Sequence, residues 1–310
     1  MRTFKKEIKI SGVGIHSGAP VNMRILPADQ YGIFFKRVDM PGTDLIPAKW
    51  DNVKSAVMNT TIGDPNGAHV QTIEHFMAAL FMVGIDSAVI EIDGPETPIM
   101  DGSANEFLKI FDATEIAATG PLKKIIVKKE IIAHKTEILK QLSLIKRVAL
   151  WLYNLKQGRK ENGYVKLSPY SKGLKINATL IYPDKIIGEQ SFSYMFDGSK
   201  KSIDTFLSDI SSARTFGRIS EWEYLKARGM GRGADENNVI ALNAAGDASL
   251  NGLIWPDEFV RHKVIDALGD LYISGGFICG EMTSFKGSHA LNNLVLKKLF
   301  SDPSNYDIMD

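Results

Sequence analysis

The sequence predicts an α+β protein of two domains, each a small mixed sheet with packed helices. Three observations point that way. With 310 residues the chain is too long for one ordinary domain and too short for three. Its first third reads strand, strand, helix, strand, helix, and the remainder repeats that mixture in the same style. Its composition, 44% hydrophobic and 24% charged, is that of a globular protein able to bury a core.

Alternating apolar and polar residues predict strands around Lys5–Ile10 and Val21–Leu26, joined through the glycine-rich turn Gly12-Val-Gly-Ile-His-Ser-Gly18. Thr72 is expected to cap a helix that runs to Val83 and stops at Gly84. Val89-Ile-Glu-Ile reads as a short strand, and Asp101-Gly-Ser-Ala-Asn-Glu-Phe-Leu-Lys-Ile-Phe as a second capped helix. A polar stretch with Gly120 and Pro121 sets the expected boundary, giving domains 1–120 and 121–300 and a tail, 301–310. After a strand from Lys124, the second unit is expected to hold strands at Gly173–Ile181, Glu189–Tyr194 and Gly276–Thr283. Its helices are expected from Ser202, from Asp257 to Tyr272, and from His289 to Phe300.

One segment stands outside this pattern. Between Lys135 and Lys160, Ile138, Leu142, Ile145, Ala149 and Leu152 recur every three or four residues, with Lys140, Lys146, Arg147, Lys156, Arg159 and Lys160 supplying most of the charge, which reads as a basic amphipathic helix over about 135–160. Such a stripe either docks on the second domain or lies on an anionic membrane surface, where Trp151 would sit at the interface.

A formal net charge of +1 supplies no concentrated basic surface, so nucleic acid is not an expected partner. The only cysteine, Cys279, allows neither an intrachain disulfide nor a thiolate metal cluster. The N-terminus enters a strand pattern at once, without a signal-peptide core or a long apolar run, so a cytoplasmic protein is expected. A monomer is expected.

The residues that could carry chemistry fall in three places. His262, Asp266 and Asp270 lie four apart on a segment of helical composition and project from one face. An imidazole and a carboxylate one turn apart suit Zn²⁺, although the same spacing also serves a surface pair or a cap. Glu74-His75 sits in an otherwise apolar helix, where two ionisable groups need partners. They form a buried hydrogen-bonded pair, or else His75 joins His262 and Asp266 as a third ligand and Glu74 takes a proton from water in the open position. The third place, Phe285-Lys-Gly-Ser-His289, puts a cation and an imidazole before a helix, as a loop over an anion would. Of the other histidines, His16, His69 and His134 lie in polar or turn-like surroundings. The motifs of zinc proteases, P-loop nucleotidases and serine hydrolases are absent, which leaves metal-assisted hydrolysis or a non-catalytic ligand module.

At these residues the chain resembles the UDP-3-O-acyl-N-acetylglucosamine deacetylases. The likeness spans nearly the whole chain and rests on Gly12-Val-Gly-Ile-His-Ser-Gly, Thr72-Ile-Glu-His, Pro95-Glu-Thr-Pro-Ile-Met-Asp-Gly-Ser-Ala104, Ala213-Arg-Thr-Phe-Gly217, Glu258 through Leu271, and His289-Ala-Leu-Asn-Asn293. It implies two α+β domains whose helices meet in the middle, with the active site between them. It implies zinc-dependent removal of the acetyl group from a UDP-linked, 3-O-acylated N-acetylglucosamine, the committed step of lipid A synthesis. By this resemblance His75, His262 and Asp266 bind one Zn²⁺, Glu74 is the general base, and His289 protonates the leaving amine. Thr215 stands by the oxyanion, Asp270 orients His289, and Lys263 positions substrate. Lys286 contacts the diphosphate, Tyr182 stacks on uracil, and Phe216 lies where an apolar acyl passage is expected.

Fe²⁺ can occupy a nitrogen and oxygen site of this kind. Two further readings stay open: a zinc amidase of the same fold acting on another N-acetyl sugar, and a non-catalytic nucleotide-sugar binder. The chain departs from the family pattern in three ways. These are the basic helix, Ser288 in place of a glycine before His289, and Arg218 and Arg232 near the acyl passage, which put the preferred acyl length in question.

Overall fold

A computed structural model describes residues 1–140 and 162–309. Its helices are α1 (Glu74–Val83), α2 (Asn105–Asp112), α3 (Lys135–Lys140), α4 (Lys200–Asp209), α5 (Ile219–Lys226), α6 (Glu258–Tyr272) and α7 (His289–Phe300). The predicted helices agree with α1, α2, α4, α6 and α7 to within a few residues. In the basic segment only Lys135–Lys140 lies within the described residues. That turn is tied to α7 by Glu137, which pairs with Lys298 at 2.6 Å, and Ile138 packs on the core.

The first sheet has five strands in the order Ile8–Val13, Pro20–Leu26, Ser87–Ile92, Gly32–Arg37, Ile46–Pro47. It is mixed, because Gly32–Arg37 runs parallel to Ser87–Ile92 while the other pairs are antiparallel. Phe35 and Ile90 point from it into a core shared with α1, where Phe35 meets Phe76 edge-on. The second sheet has seven strands organised around Phe277–Phe285. That strand runs parallel to Lys124–Val127 and Leu174–Ile181 and antiparallel to Tyr164–Ser168. Leu174–Ile181 alternates buried and half-buried side chains, the period of a sheet with one face on a core. Residues 301–310, read as a tail, carry Tyr306–Met309, a strand antiparallel to Lys124–Val127.

Two expected caps differ. Ala104, not Asp101, stands at the N-terminus of α2 and makes no side-chain cap, while Asp101 Oδ1 accepts from Ser103 in the preceding turn. Thr72 is displaced from the cap position by Ile73.

Helix α1 is buried on every side from Glu74 to Met82, as a helix apolar all round must be, and it ends on Gly84 in the left-handed region at φ 72°. It packs against α6. The approach is closest at Gly269, where a Cβ would fall inside the van der Waals envelope of the Glu74 carbonyl oxygen. This crossing sets the N-terminal turn of α1 beside the face of α6 that carries His262, Asp266 and Asp270. Helix propensity alone makes Gly269→Ala stabilising by about 1 kcal/mol. Overpacking at the crossing reverses that sign, and a net loss of about 1–3 kcal/mol in chemical denaturation is the expected outcome. A stabilised variant would mean that the helices do not approach this closely.

Candidate active site

His75 comes from the first turn of α1, and His262 and Asp266 lie one turn apart on α6. Their side chains converge, with His75 Nε2 and His262 Nε2 each 3.4 Å from Asp266 Oδ1. The two imidazole rings meet edge-on with centroids 4.8 Å apart. All three residues are at most 5% exposed.

Hydrogen bonding shows which atoms carry lone pairs. His262 Nδ1 lies 3.0 Å from the Ala213 carbonyl, which can only accept, so Nδ1 holds the proton. Burial pushes the pKa of His262 down to about 3, so the ring is neutral and its Nε2 is a bare lone pair facing a carboxylate oxygen. Burial resists the charge on Asp266, but Lys263, His262 and His289 outweigh it and hold this carboxyl well below the usual range. Lys263 Nζ donates to Oδ2 at 2.7 Å, whereas Oδ1 has no hydrogen-bond partner and neither does His75 Nδ1.

The bare His262 Nε2 and the unpartnered Asp266 Oδ1 repel one another unless a positive centre lies between them, and a cation beside His75 Nε2 would supply it. Two ligand atoms about 2.0–2.1 Å from a tetrahedrally coordinated ion stand roughly 3.3 Å apart. The 3.4 Å separations fit that arrangement. The donor set therefore suits a divalent transition-metal ion.

Glu74, Asp270 and His289 form a second buried cluster beside the first. His289 Nδ1 donates to Asp270 Oδ2 at 2.7 Å, and its Nε2 lies 3.8 Å from Glu74 Oε1. Burial opposes the charge on His289, but Asp270, Glu74 and Asp266 outweigh it and raise its pKa to about 10. Burial likewise raises the pKa of Glu74, with His289 and His75 only partly offsetting it. Groups this close titrate as a set.

Thr60, which sequence reasoning missed, ties the cluster together. Its N–H donates to Glu74 Oε2 at 3.0 Å and its hydroxyl to Asp270 Oδ1 at 2.5 Å. No periodicity or motif marks the irregular stretch that carries it, so nothing in the sequence announces this contact.

A cavity of about 220 Å³ opens over both clusters. Glu74, His75, Thr215, Phe216, Lys263, His262, Asp266, His289 and Tyr182 all line it. Asp270 stands behind His289, outside the lining. Lys286 is not among the lining residues either, and its Nζ donates to Asn162 at 2.9 Å. Thr215 is held through its backbone, donating to Gly102 and accepting from Ile240. Phe216 packs edge-on against Tyr182 and beneath Lys263 Nζ.

His16, read as a turn residue, also lines this cavity, and the half-buried Gly12–Gly18 turn is the reason. Buried Glu96 accepts from the backbone N–H of His16 and Ser17, from the Ser17 hydroxyl and from Thr72 Oγ1, which clamps the turn over the site. Thr72 therefore does not cap α1. It adopts φ 58°, a strained conformation for a β-branched residue, and its hydroxyl serves Glu96 instead. The helix is entered from a turn pinned by Glu96, Asn59 and Thr97.

Ser288 stands immediately before α7. It is extended and caps α7, its Oγ accepting from Leu291 N, so the serine holds the helix start at His289. Arg218 lines the cavity, whereas Arg232 does not and instead donates its backbone N–H to His16 O.

The chain is similar to known proteins along nearly its full length. A family model described as "LpxC: UDP-3-O-acyl N-acetylglycosamine deacetylase" matches residues 1–301. Proteins named UDP-3-O-acyl-N-acetylglucosamine deacetylase are similar along almost the full length. That of Shewanella oneidensis is 35% identical over 312 residues, covering 99% of this chain and 92% of the relative. That of Shewanella violacea is 36% identical over 314 residues, with the same coverage.

A metal ion held only by the folded three-residue cluster must stabilise the fold. At a free concentration a hundred times Kd, the expected gain is about 2.7 kcal/mol in an equilibrium unfolding experiment. His262→Ala should abolish that gain, and a gain that survived in the variant would place the ion elsewhere.

Proposed function

This chain belongs to the UDP-3-O-acyl N-acetylglycosamine deacetylase family, and on that premise we propose that it hydrolyses the N-acetyl group of a UDP-3-O-acyl-N-acetylglucosamine at the paired clusters. The products are acetate and the free amine, the deacetylation step of lipid A biosynthesis. The observation that carries the reading is the convergence of two imidazole nitrogens and a carboxylate oxygen beside a buried Glu74–His289–Asp270 set. A site that merely bound a nucleotide sugar would not need both.

His75, His262 and Asp266 would hold the ion, with Zn²⁺ the best match to their nitrogen and oxygen donors and Fe²⁺ also compatible. When bound there, Zn²⁺ supplies Lewis acidity toward the acetyl carbonyl and the attacking water.

The remaining steps belong to side chains. Glu74 is the base: Thr60 fixes its Oε2, so Oε1 takes the proton from water. Its raised pKa brings it nearer neutrality, where a general base combines an ionised form with useful basicity. Thr215 stands on the cavity wall where its hydroxyl donates to the carbonyl oxygen as negative charge develops. His289 is the acid. Asp270 holds its Nδ1–H, leaving the Nε2–H to be delivered to the amine nitrogen as the C–N bond breaks. The proton on Glu74 can then return to His289 across the 3.8 Å gap.

Lys263, tied to Asp266 and lying over Phe216, positions substrate at the rim, and Tyr182 offers a face for the uracil ring. Lys286 would reach the diphosphate only by releasing Asn162. No helix among the described residues is long and apolar enough to cross a membrane. The protein is taken to act in the cytoplasm.

The direct test measures acetate released from acylated and non-acylated UDP-N-acetylglucosamine. The acylated compound should react much faster, and equal rates would favour an amidase of broader scope. With the better substrate, Glu74→Gln should lower kcat by about 10²–10⁴ while metal content stays stoichiometric. Loss of the metal from that variant would make Glu74 a ligand rather than the base.

The pH profile supplies a separate check. Activity needs Glu74 ionised, so it rises as pH passes the pKa of Glu74, and it needs His289 charged, so it falls as pH passes that of His289. Asp270→Asn removes the nearest negative charge from the imidazolium and lowers its pKa. The alkaline limb of kcat/KM should therefore move to lower pH, and an unmoved limb would exclude His289 as the acid.

A further inference from the structure

Asp270 holds His289 through one hydrogen bond, yet its carboxylate accepts from two further side chains. Thr60 Oγ1 donates to Oδ1 at 2.5 Å, and Asn292 Nδ2 donates to Oδ2 at 2.8 Å, beside the 2.7 Å bond from His289 Nδ1. Asp270, Thr60 and Asn292 are all buried. Asn292 stands one turn after His289 on α7, so the two side chains leave the helix on the same face. Its Oδ1 has no hydrogen-bond partner among the described residues. The side-chain contact that an amide makes here, and that an apolar residue could not, is therefore the N–H on Asp270.

Thr60 reaches the carboxylate from another part of the chain. It directly precedes the strand Thr61–Gly63, and its neighbours are pinned. Thr61 Oγ1 donates to Asn59 Oδ1 at 2.9 Å, and Asn59 Nδ2 donates to Thr72 Oγ1 at 3.2 Å, at the entry to α1. The Thr60 N–H serves Glu74, which leaves its hydroxyl for Asp270. A carboxylate bonded through a single oxygen can turn and carry its partner with it. Held at Oδ1 by Thr60 and at Oδ2 by Asn292, that of Asp270 has both oxygens fixed. The His289 ring bonded to it then keeps its Nε2 toward Glu74, 3.8 Å from Oε1.

Resting on the reading that His289 delivers the proton, we propose that Thr60 and Asn292 are positioning residues for the reaction. Acting through Asp270, they fix the plane of the His289 ring, so that Nε2–H points at the leaving nitrogen when the C–N bond breaks. A misplacement of about 1 Å is enough to cost about 10²-fold in rate. The three residues that would hold the ion and the groups that position substrate are other side chains, so the loss should fall on the chemical step.

The test uses the metal-loaded enzyme and reads kcat and KM by acetate release from a UDP-3-O-acyl-N-acetylglucosamine. Thr60→Val removes the hydroxyl but keeps the shape and the N–H on Glu74. It should lower kcat by about tenfold or more, with KM within about twofold of the wild type and metal still stoichiometric. Asn292→Leu should do the same, and Thr60→Ser, which restores a hydroxyl, should recover most of the loss. In an Asp270→Ala background Thr60→Val should cost nothing further, because its route to His289 is already cut. A second readout needs no turnover. The Nδ1–H proton of His289, assigned by its absence in His289→Gln, should exchange with water faster in Thr60→Val and Asn292→Leu than in the wild type, seen as broadening by NMR.

Unchanged kcat, a change confined to KM, loss of the metal, a full further loss in the Asp270→Ala background or an unaltered exchange rate would each overturn the proposal. Failure of the deacetylase reading looks different: the wild type then releases no acetate, while the NMR difference between it and the variants persists.

Discussion

The close crossing of α1 and α6 at Gly269 is the constraint on which the site depends. Glu74 and His75 begin one helix, and His262, Asp266 and Asp270 line one face of the other. Only where a glycine lets the two backbones touch can side chains from both reach a common point. The crossing also shuts out water, with each of these residues no more than 5% exposed. Burial of so many ionisable groups is costly in isolation, and the arrangement is tolerable because each group serves another.

That mutual service divides the carboxylates into different tasks. Asp266, next to Lys263 and two imidazoles, is held firmly ionised, as metal binding would require. Glu74 is equally buried but has a backbone N–H and more distant imidazoles, and its pKa rises. The histidines separate in the same way. His262, bonded to a carbonyl, is kept neutral with a lone pair to offer, whereas His289, bonded to a carboxylate, is kept charged with a proton to offer. Environments that push like residues in opposite directions allow a single pocket to hold acid, base and ligand together.

Much of this was legible along the chain. The period of the apolar residues marks α1, α6 and α7 closely, and the left-handed stop at Gly84 is where a glycine is expected. His262, Asp266 and Asp270 could be placed on one face because helical spacing is a local property. Thr60, Glu96 and His16 were less legible, since they act from irregular segments whose partners are up to 210 residues distant. Thr72 was misread for a related reason. A threonine before an apolar run ordinarily caps, but a buried carboxylate 24 residues away competed for the same hydroxyl and won. Of the basic segment, Lys135–Lys140 rests on α7 through Glu137 and Lys298, and residues 141–161 lie outside the described residues.

The sequence by itself determined the α+β class, the positions of the main helices, the residue types able to bind a metal and move protons, and the family through its ordered motifs. All of these follow from short-range periodicity and residue chemistry. Tertiary structure alone decided that two helices far apart in the chain converge, which carboxylate is held ionised and which is raised, and that Arg218 pairs with Asp184 beside the cavity. Those outcomes depend on burial and on distances between segments remote in sequence, and no local pattern encodes either.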